Sequence, residues 1–183
     1  MARKESFRKE ELVEKGLQFI NEKGIESLNA RDLTKFIGCS TQPIFRNYEN
    51  MQEYKKDLKK CMREDYTNFI NNHIKKEDYL LTISYAYALY AKNRPNIFKA
   101  LFITELAGSR TVNEVINTKR NKETINAMTK QYNLAQKEAQ DLYRDVRFYT
   151  HGIACQICVK SIILKDKEIY ELIKNIIEKL LQN

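Results

Sequence analysis

The sequence predicts an all-α chain of about nine helices, with a small three-helix unit at the N-terminus and a larger helical domain after it. Three observations carry this reading. Only 5 Gly and 2 Pro punctuate 183 residues, too few for the many turns of a sheet-rich chain. Apolar residues recur three and four apart through nearly the whole length, the spacing of one helical face. At 43% hydrophobic and 31% charged, the chain can fill a core and lacks the composition of a disordered segment.

Helix one is expected from Ser6 to Lys23, with Leu12, Val13, Gly16, Leu17, Phe19 and Ile20 at helical spacing and Gly24 as its stop. Asn29 caps a short second helix, with Asp32 in a capping-box position and Leu33, Phe36 and Ile37 on one face. Gly38 ends it, because the residue past a helix C-terminus often takes a positive φ at no cost to glycine. Ser40 is the expected cap of a third helix. Pro43 is then its third residue, still in the first turn, where a missing N–H is tolerated. Ile44, Phe45 and Tyr48 form the expected apolar seam of that helix, leaving Thr41, Gln42, Arg46 and Asn47 opposite.

A long fourth helix follows, capped by Asn50 with Glu53 and carrying Tyr54, Leu58, Cys61, Met62, Phe69 and Ile70 as far as His73. Asp78 to Asn93 is the next apolar helix, broken at Asn93-Arg94-Pro95. Another runs to about Ala107 with Ile97, Phe98, Leu101, Phe102 and Leu106 on one face, and Gly108-Ser109 turns the chain. Thr111 with Glu114 opens a polar helix to about Tyr132. Leu134 to Leu164 is the longest apolar segment, Lys165-Asp166-Lys167 a short link, and Ile169 to Leu181 the last helix. The domain division expected is 1–50 and 51–183. No internal repeat or low-complexity stretch interrupts it.

Two short helices joined by a tight Gly turn make a helix-turn-helix, whose second helix enters the DNA major groove. The polar face suits that task. Thr41 and Gln42 stand near the N-terminus of the helix; Gln can pair with adenine and a Thr methyl can touch the thymine methyl. Arg46 and Asn47, one turn later, suit phosphate oxygens. Arg31 and Ser40 complete the candidate DNA-binding set of Arg31, Ser40, Thr41, Gln42, Arg46 and Asn47. An ordinary solvated helix face gives the same short pattern.

From about Lys9 to Leu58 the chain resembles the N-terminal domain of the tetracycline-repressor (TetR) family of bacterial transcription regulators. The resemblance rests on Glu22-Lys23-Gly24, Ile25 to Leu33, Ile37-Gly38-Cys39-Ser40 and Pro43-Ile44-Phe45-Arg46-Asn47-Tyr48. It departs from the family at three positions. Phe45 lacks the hydroxyl that the family's tyrosine gives to a phosphate, Asn47 replaces a histidine, and Met51 replaces a lysine. The resemblance implies a homodimer through the last two helices, with two recognition helices roughly 34–36 Å apart on double-stranded operator DNA. It also implies release by a small molecule that tilts the fourth helix, which makes a repressor the expectation.

The net charge of +8 fits an anionic partner. It is evenly spread: residues 1–63 hold 14 Lys+Arg and 10 Asp+Glu, and residues 64–183 hold 18 and 14. Local clusters say more. Arg3, Lys4, Arg8 and Lys9 precede the motif and Lys55, Lys56, Lys59, Lys60 and Arg63 follow it, within reach of phosphates; a solvated face accounts for at least half of them.

The sequence has 11 Tyr and 8 Phe, many of them beyond the motif. Tyr66, Phe69, Tyr87, Phe102 and Tyr149 are the candidate walls of a cavity for a small apolar or aromatic effector, although aromatic stripes at helical spacing are also ordinary core. Cys39, Cys61, Cys155 and Cys158 stand in a chain with no apolar run near the ~18 residues that span a membrane, so the expectation is a cytoplasmic protein with reduced thiols and no membrane partner. Cys155 and Cys158 have C-x-x-C spacing within one helix, with His151 as the nearest further ligand. Packing thiols are expected there, with no metal and no cofactor.

An all-helical enzyme or a protein-interaction module with a vestigial DNA-binding domain is the alternative. Against an enzyme, the sequence has no Gly-rich phosphate loop, no G-x-S-x-G and no H-E-x-x-H, and only His73 and His151 as histidines. Glu105, Asp141 and Asp145 are expected to be solvated carboxylates.

Overall fold

Side-chain caps and glycine stops cut the chain into ten α-helices among the described residues, which are 7–104, 108 and 110–182 of a computed structural model. No strand occurs among them. Ser6, Arg3, Lys4, Glu105, Leu106, Ala107 and Ser109, which enter the sequence expectations, lie outside the described residues. The chain divides into two units, Met1–Thr67 with Asn96–Ala107, and Asn68–Pro95 with Gly108–Asn183. The fourth helix therefore contributes to both units.

The first unit is built on α1 (Lys9–Lys23), α2 (Ala30–Ile37), α3 (Gln42–Asn47) and most of α4 (Met51–Asn71). The Glu11 carboxylate accepts from the Arg8 N–H at 2.8 Å and starts α1. Asn50 caps α4 by accepting from the Gln52 and Glu53 N–H groups at 3.0 Å, while the Glu53 carboxylate reaches back to the Glu49 N–H. Leu12, Phe19, Ile20, Leu33, Ile44, Tyr48, Tyr54, Leu58 and Met62 form the core. Phe19 meets Phe36 edge-on at 5.4 Å and Tyr48 meets Tyr54 at 5.0 Å, arrangements favoured by the ring quadrupoles. α6 (Pro95–Phe102) joins this unit from Asn96 onward, where Asn96 donates to the Asn21 carbonyl at 2.9 Å and Lys99 pairs with Glu26 at 2.7 Å.

In the second unit α5 (Tyr79–Asn93) is buried around almost its whole circumference, against α8 (Lys119–Gln131), α9 (Gln136–Cys158) and α10 (Asp166–Leu181). Leu81, Leu89, Ile125, Met128, Leu142, Val146, Ile153, Ile169 and Ile173 are the centre of its core. Several helix boundaries differ from expectation. α6 ends at Phe102 rather than near Ala107. The polar helix is two helices, α7 (Val112–Ile116), opened by the Thr111–Glu114 capping box, and α8. Thr118 caps α8 by accepting from the Asn121 N–H, and the Asn121 amide donates to the Val115 carbonyl, so both new ends are satisfied. α9 stops at Cys158, because Lys160 takes a left-handed φ of 58°, leaving Ile163 93% exposed in the link.

Candidate nucleic-acid interface

Local hydrogen bonding fixes the turn between α2 and α3. Asn29 Oδ1 accepts from the Asp32 N–H at 2.9 Å and its amide donates to the Asp32 carboxylate at 2.7 Å. At the other end the Gly38 and Cys39 N–H groups both donate to the Thr34 carbonyl, at 2.9 and 3.0 Å. Gly38 has φ 81° and ψ 31° with open space where a Cβ would stand, so glycine is needed for its conformation and not for room.

α3 begins one residue later than expected. Thr41 precedes it with no side-chain cap, and Pro43 is its second residue. Neighbouring residues stand about 100° apart around a helix, so Ile44 and Phe45 cannot both share one narrow inward stripe. Ile44 and Tyr48, four apart, are 0% and 2% exposed and define the inward stripe, with Pro43 buried beside them. Phe45 is 51% exposed; it leaves the expected seam and joins Ser40, Thr41, Gln42 and Arg46 on the open side. Gln42 and Arg46 are joined by a 3.4 Å hydrogen bond from the guanidinium to Gln42 Oε1.

Asn47 is half-buried. Its amide donates to the Pro43 carbonyl at 2.8 Å and to the Phe7 carbonyl at 3.1 Å, tying the start of the chain to α3. Arg31 is exposed on α2 with Lys35 one turn on, a basic position that reading the motif alone overlooked. Of the flanking cations, Arg8 is held by Glu11 at 3.1 Å. Lys9 lies 4.5 Å over the Tyr48 ring, with Glu53 and Asp57 each at 3.9 Å. Lys56, Lys60 and Arg63 are exposed along α4. A cleft of about 300 Å³ between α1 and α4 has Glu10, Glu14, Asp57 and Glu64 against Lys9 and Lys60, the wrong sign for phosphate.

The five candidate ligand residues are divided between the two units. Tyr66 meets Phe102 edge-on at 5.1 Å in the first unit. In the second, Phe69 stacks on His73 at 4.4 Å and packs edge-on to Tyr90, the Tyr87 hydroxyl lies 2.9 Å from His151 Nδ1, and Tyr149 is 38% exposed. A cavity of about 190 Å³ in that unit is lined instead by Asp78, Leu81, Tyr132, Tyr170 and Ile177, smaller than the ~300–1,000 Å³ usual for ligand pockets. Cys155 Sγ is 3.4 Å from His151 Nε2, and the Cys158 thiol donates to the Pro95 carbonyl at 3.2 Å. Among the described residues no group of three or more His, Cys, Asp or Glu is arranged to hold a metal ion. Asp141 and Asp145 pair with Lys137 and Arg144. No described helix is long and apolar enough to cross a membrane. No protein-family model matches the chain, and no characterised protein matches it.

Proposed function

We propose that this chain is a sequence-specific DNA-binding transcription regulator of the TetR type, acting as a homodimer and released from its operator by a small molecule. The observation that carries the reading is the division of α3 into two faces: Pro43, Ile44 and Tyr48 are buried, and Thr41, Gln42, Phe45 and Arg46 are exposed together. Gln42 is suited to the adenine edge, Arg46 to phosphate, and Phe45, which has no hydroxyl, to the thymine methyl. Dimerisation is supported by exposed apolar side chains on the last two helices, Phe148 and Tyr149 on α9 and Leu172 on α10, with Val159 just past the end of α9. α4 contributes residues to both units, so it is the element through which a ligand in the second would act on the first.

Gel shifts on the DNA flanking the chain's own gene, at moderate salt with competitor, test this. Specific binding is expected. Gln42→Ala should change base preference, whereas Arg46→Ala should weaken all sequences and lower the salt dependence by about one counterion. Replacing operator thymines by uracil removes only the methyl and should weaken the wild type but not Phe45→Ala. Binding that ignores sequence, or that survives all of these changes, refutes the reading and favours an interaction module.

A further inference from the structure

Asp78 ends the short turn Lys76–Asp78 and stands just before α5, in the second unit. It is half-buried, and its side chain does not cap the helix. Among the described residues no lysine or arginine pairs with its carboxylate. The Tyr132 hydroxyl is within reach, 3.5 Å from Asp78 Oδ1, which is the outer limit of a hydrogen bond. Burial, and then this carboxylate, pushes the Tyr132 phenol up to about 12, as a negative charge facing a phenol does. A carboxylate accepts several hydrogen bonds, and one drawn partly out of water with so little to accept is under-satisfied.

Asp78 and Tyr132 both line the cavity of about 190 Å³ in this unit, whose other wall is α10. Tyr170, Lys174 and Ile177, four and three apart, form one stripe of that wall. Leu81 and Ile177, 4% and 5% exposed, give the cavity an apolar floor. Lys174 is the cation among the described lining residues, and Glu178, which also lines the cavity, holds it at 3.7 Å. That pair cancels at a distance, so Asp78 sets the sign of the site. A carboxylate matches the N–H donors of an ammonium group, and the Tyr132 and Tyr170 rings attract the same charge through their quadrupoles. A metal ion does not fit: among the described residues no group of three or more His, Cys, Asp or Glu is arranged to hold one, and the apolar floor offers it no ligand. The volume far exceeds the ~10–15 Å³ that a water needs but is below that of a drug-sized pocket, which selects a compact body.

We propose that this cavity binds a small protonated amine with a short apolar or aromatic body, its ammonium group on Asp78 beside the Tyr132 hydroxyl and its body against Leu81, Tyr170 and Ile177. That this amine is the effector rests on the regulator reading above; that it binds does not. The test uses the full chain without DNA. Isothermal titration and thermal unfolding are run with benzylamine and isopentylamine, and with benzyl alcohol, benzoate and ammonium chloride at matched ionic strength and neutral pH.

The two amines should bind saturably and raise the melting temperature, and the alcohol, the acid and the inorganic cation should not. Asp78→Asn should weaken amine binding at least about tenfold, the worth of one charged hydrogen bond, whereas Lys174→Gln should not weaken it. Should Asp78→Asn fold poorly, NMR of the wild-type chain locates the amine, with the largest shifts expected at Leu81, Tyr132, Tyr170 and Ile177. Equal binding of amine and alcohol, binding of benzoate, no binding at all, shifts centred elsewhere, or an unchanged affinity in Asp78→Asn overturns the site. Amine binding that leaves a specific operator complex intact in gel shifts keeps the site and removes its role as effector.

Discussion

Gly16→Ala is expected to destabilise the first unit although it replaces the worst ordinary helix former by the best. Gly16 is buried in the middle of α1. A Cβ there would lie 2.1 Å from the Tyr54 hydroxyl oxygen, 2.6 Å from Leu58 Cδ2 and 3.0 Å from Tyr54 Cζ. The Tyr54 hydroxyl cannot yield freely, because it donates to the Leu12 carbonyl at 2.7 Å inside the core. Overpacking of this kind costs about 1–3 kcal/mol, and displacing the hydroxyl forfeits a further ~0.5–1.5 kcal/mol of net hydrogen bonding. Alanine returns about 1 kcal/mol of helix propensity. The balance is a loss of about 2 kcal/mol, roughly thirtyfold in the local opening constant. Amide hydrogen exchange along α1 and α4 measures it directly. Tyr54→Phe removes the atom nearest the new methyl, so the double variant should lose less than the sum of the two single losses. Protection in Gly16→Ala equal to or above wild type would refute the close-packing explanation.

Thr150→Val is expected to raise the melting temperature of the free protein, because it removes a buried hydroxyl that has no partner; a lower temperature would mean the hydroxyl is satisfied. Asn47→Ala should weaken operator binding while leaving its salt slope unchanged, since the amide of Asn47 is engaged by the Phe7 and Pro43 carbonyls; a slope reduced by about one would make it a phosphate contact instead. Alkali should unfold the chain. Burial, then Asp57, pushes the Tyr48 phenol up, burial pushes up Tyr54, and burial, then Asp78, takes Tyr132 to about 12. Values raised in the folded state add stability that is complete below the unfolded tyrosine value of about 10 and is lost as pH climbs through the folded values. Urea midpoints should therefore fall steeply above about pH 10, and less steeply in Tyr54→Phe; a flat profile from pH 9 to 12 would count against it.

The turn between α2 and α3 was legible because its signals are local: the Asn29 cap and the stop at Gly38 depend on neighbours within a few residues. The face of α3 was less so. Ile44 and Phe45 are adjacent and both apolar, and a helix of six residues is too short for its period to show which of them turns inward, so the sequence places Phe45 in the seam and overlooks Pro43 as core. The break between α7 and α8 escaped the apolar pattern because Asn117 and Thr118 sit in a polar stretch, where periodicity carries little information. The run to Leu164 looked continuous because Ile162 and Ile163 are apolar, yet they lie past the end of α9 and are exposed.

A six-residue helix is far below the ~12–15 residues at which helices become marginal in water, so α3 exists only through tertiary contacts, and these are distributed unevenly over it. Ile44 and Tyr48 are enclosed by the core. The Tyr48 ring carries Lys9 over its face, and its hydroxyl donates to Asp57 at 3.1 Å. Asn47 holds the backbone at Phe7. Each of these contacts fixes the axis and rotation of α3, and none of them uses Thr41, Gln42, Phe45 or Arg46. Those four can be exchanged at little cost to the fold, whereas the residues that orient them cannot. A surface whose orientation is so heavily constrained while its own side chains bear almost none of the constraint has the properties required of a reading head, because its specificity can change without its geometry.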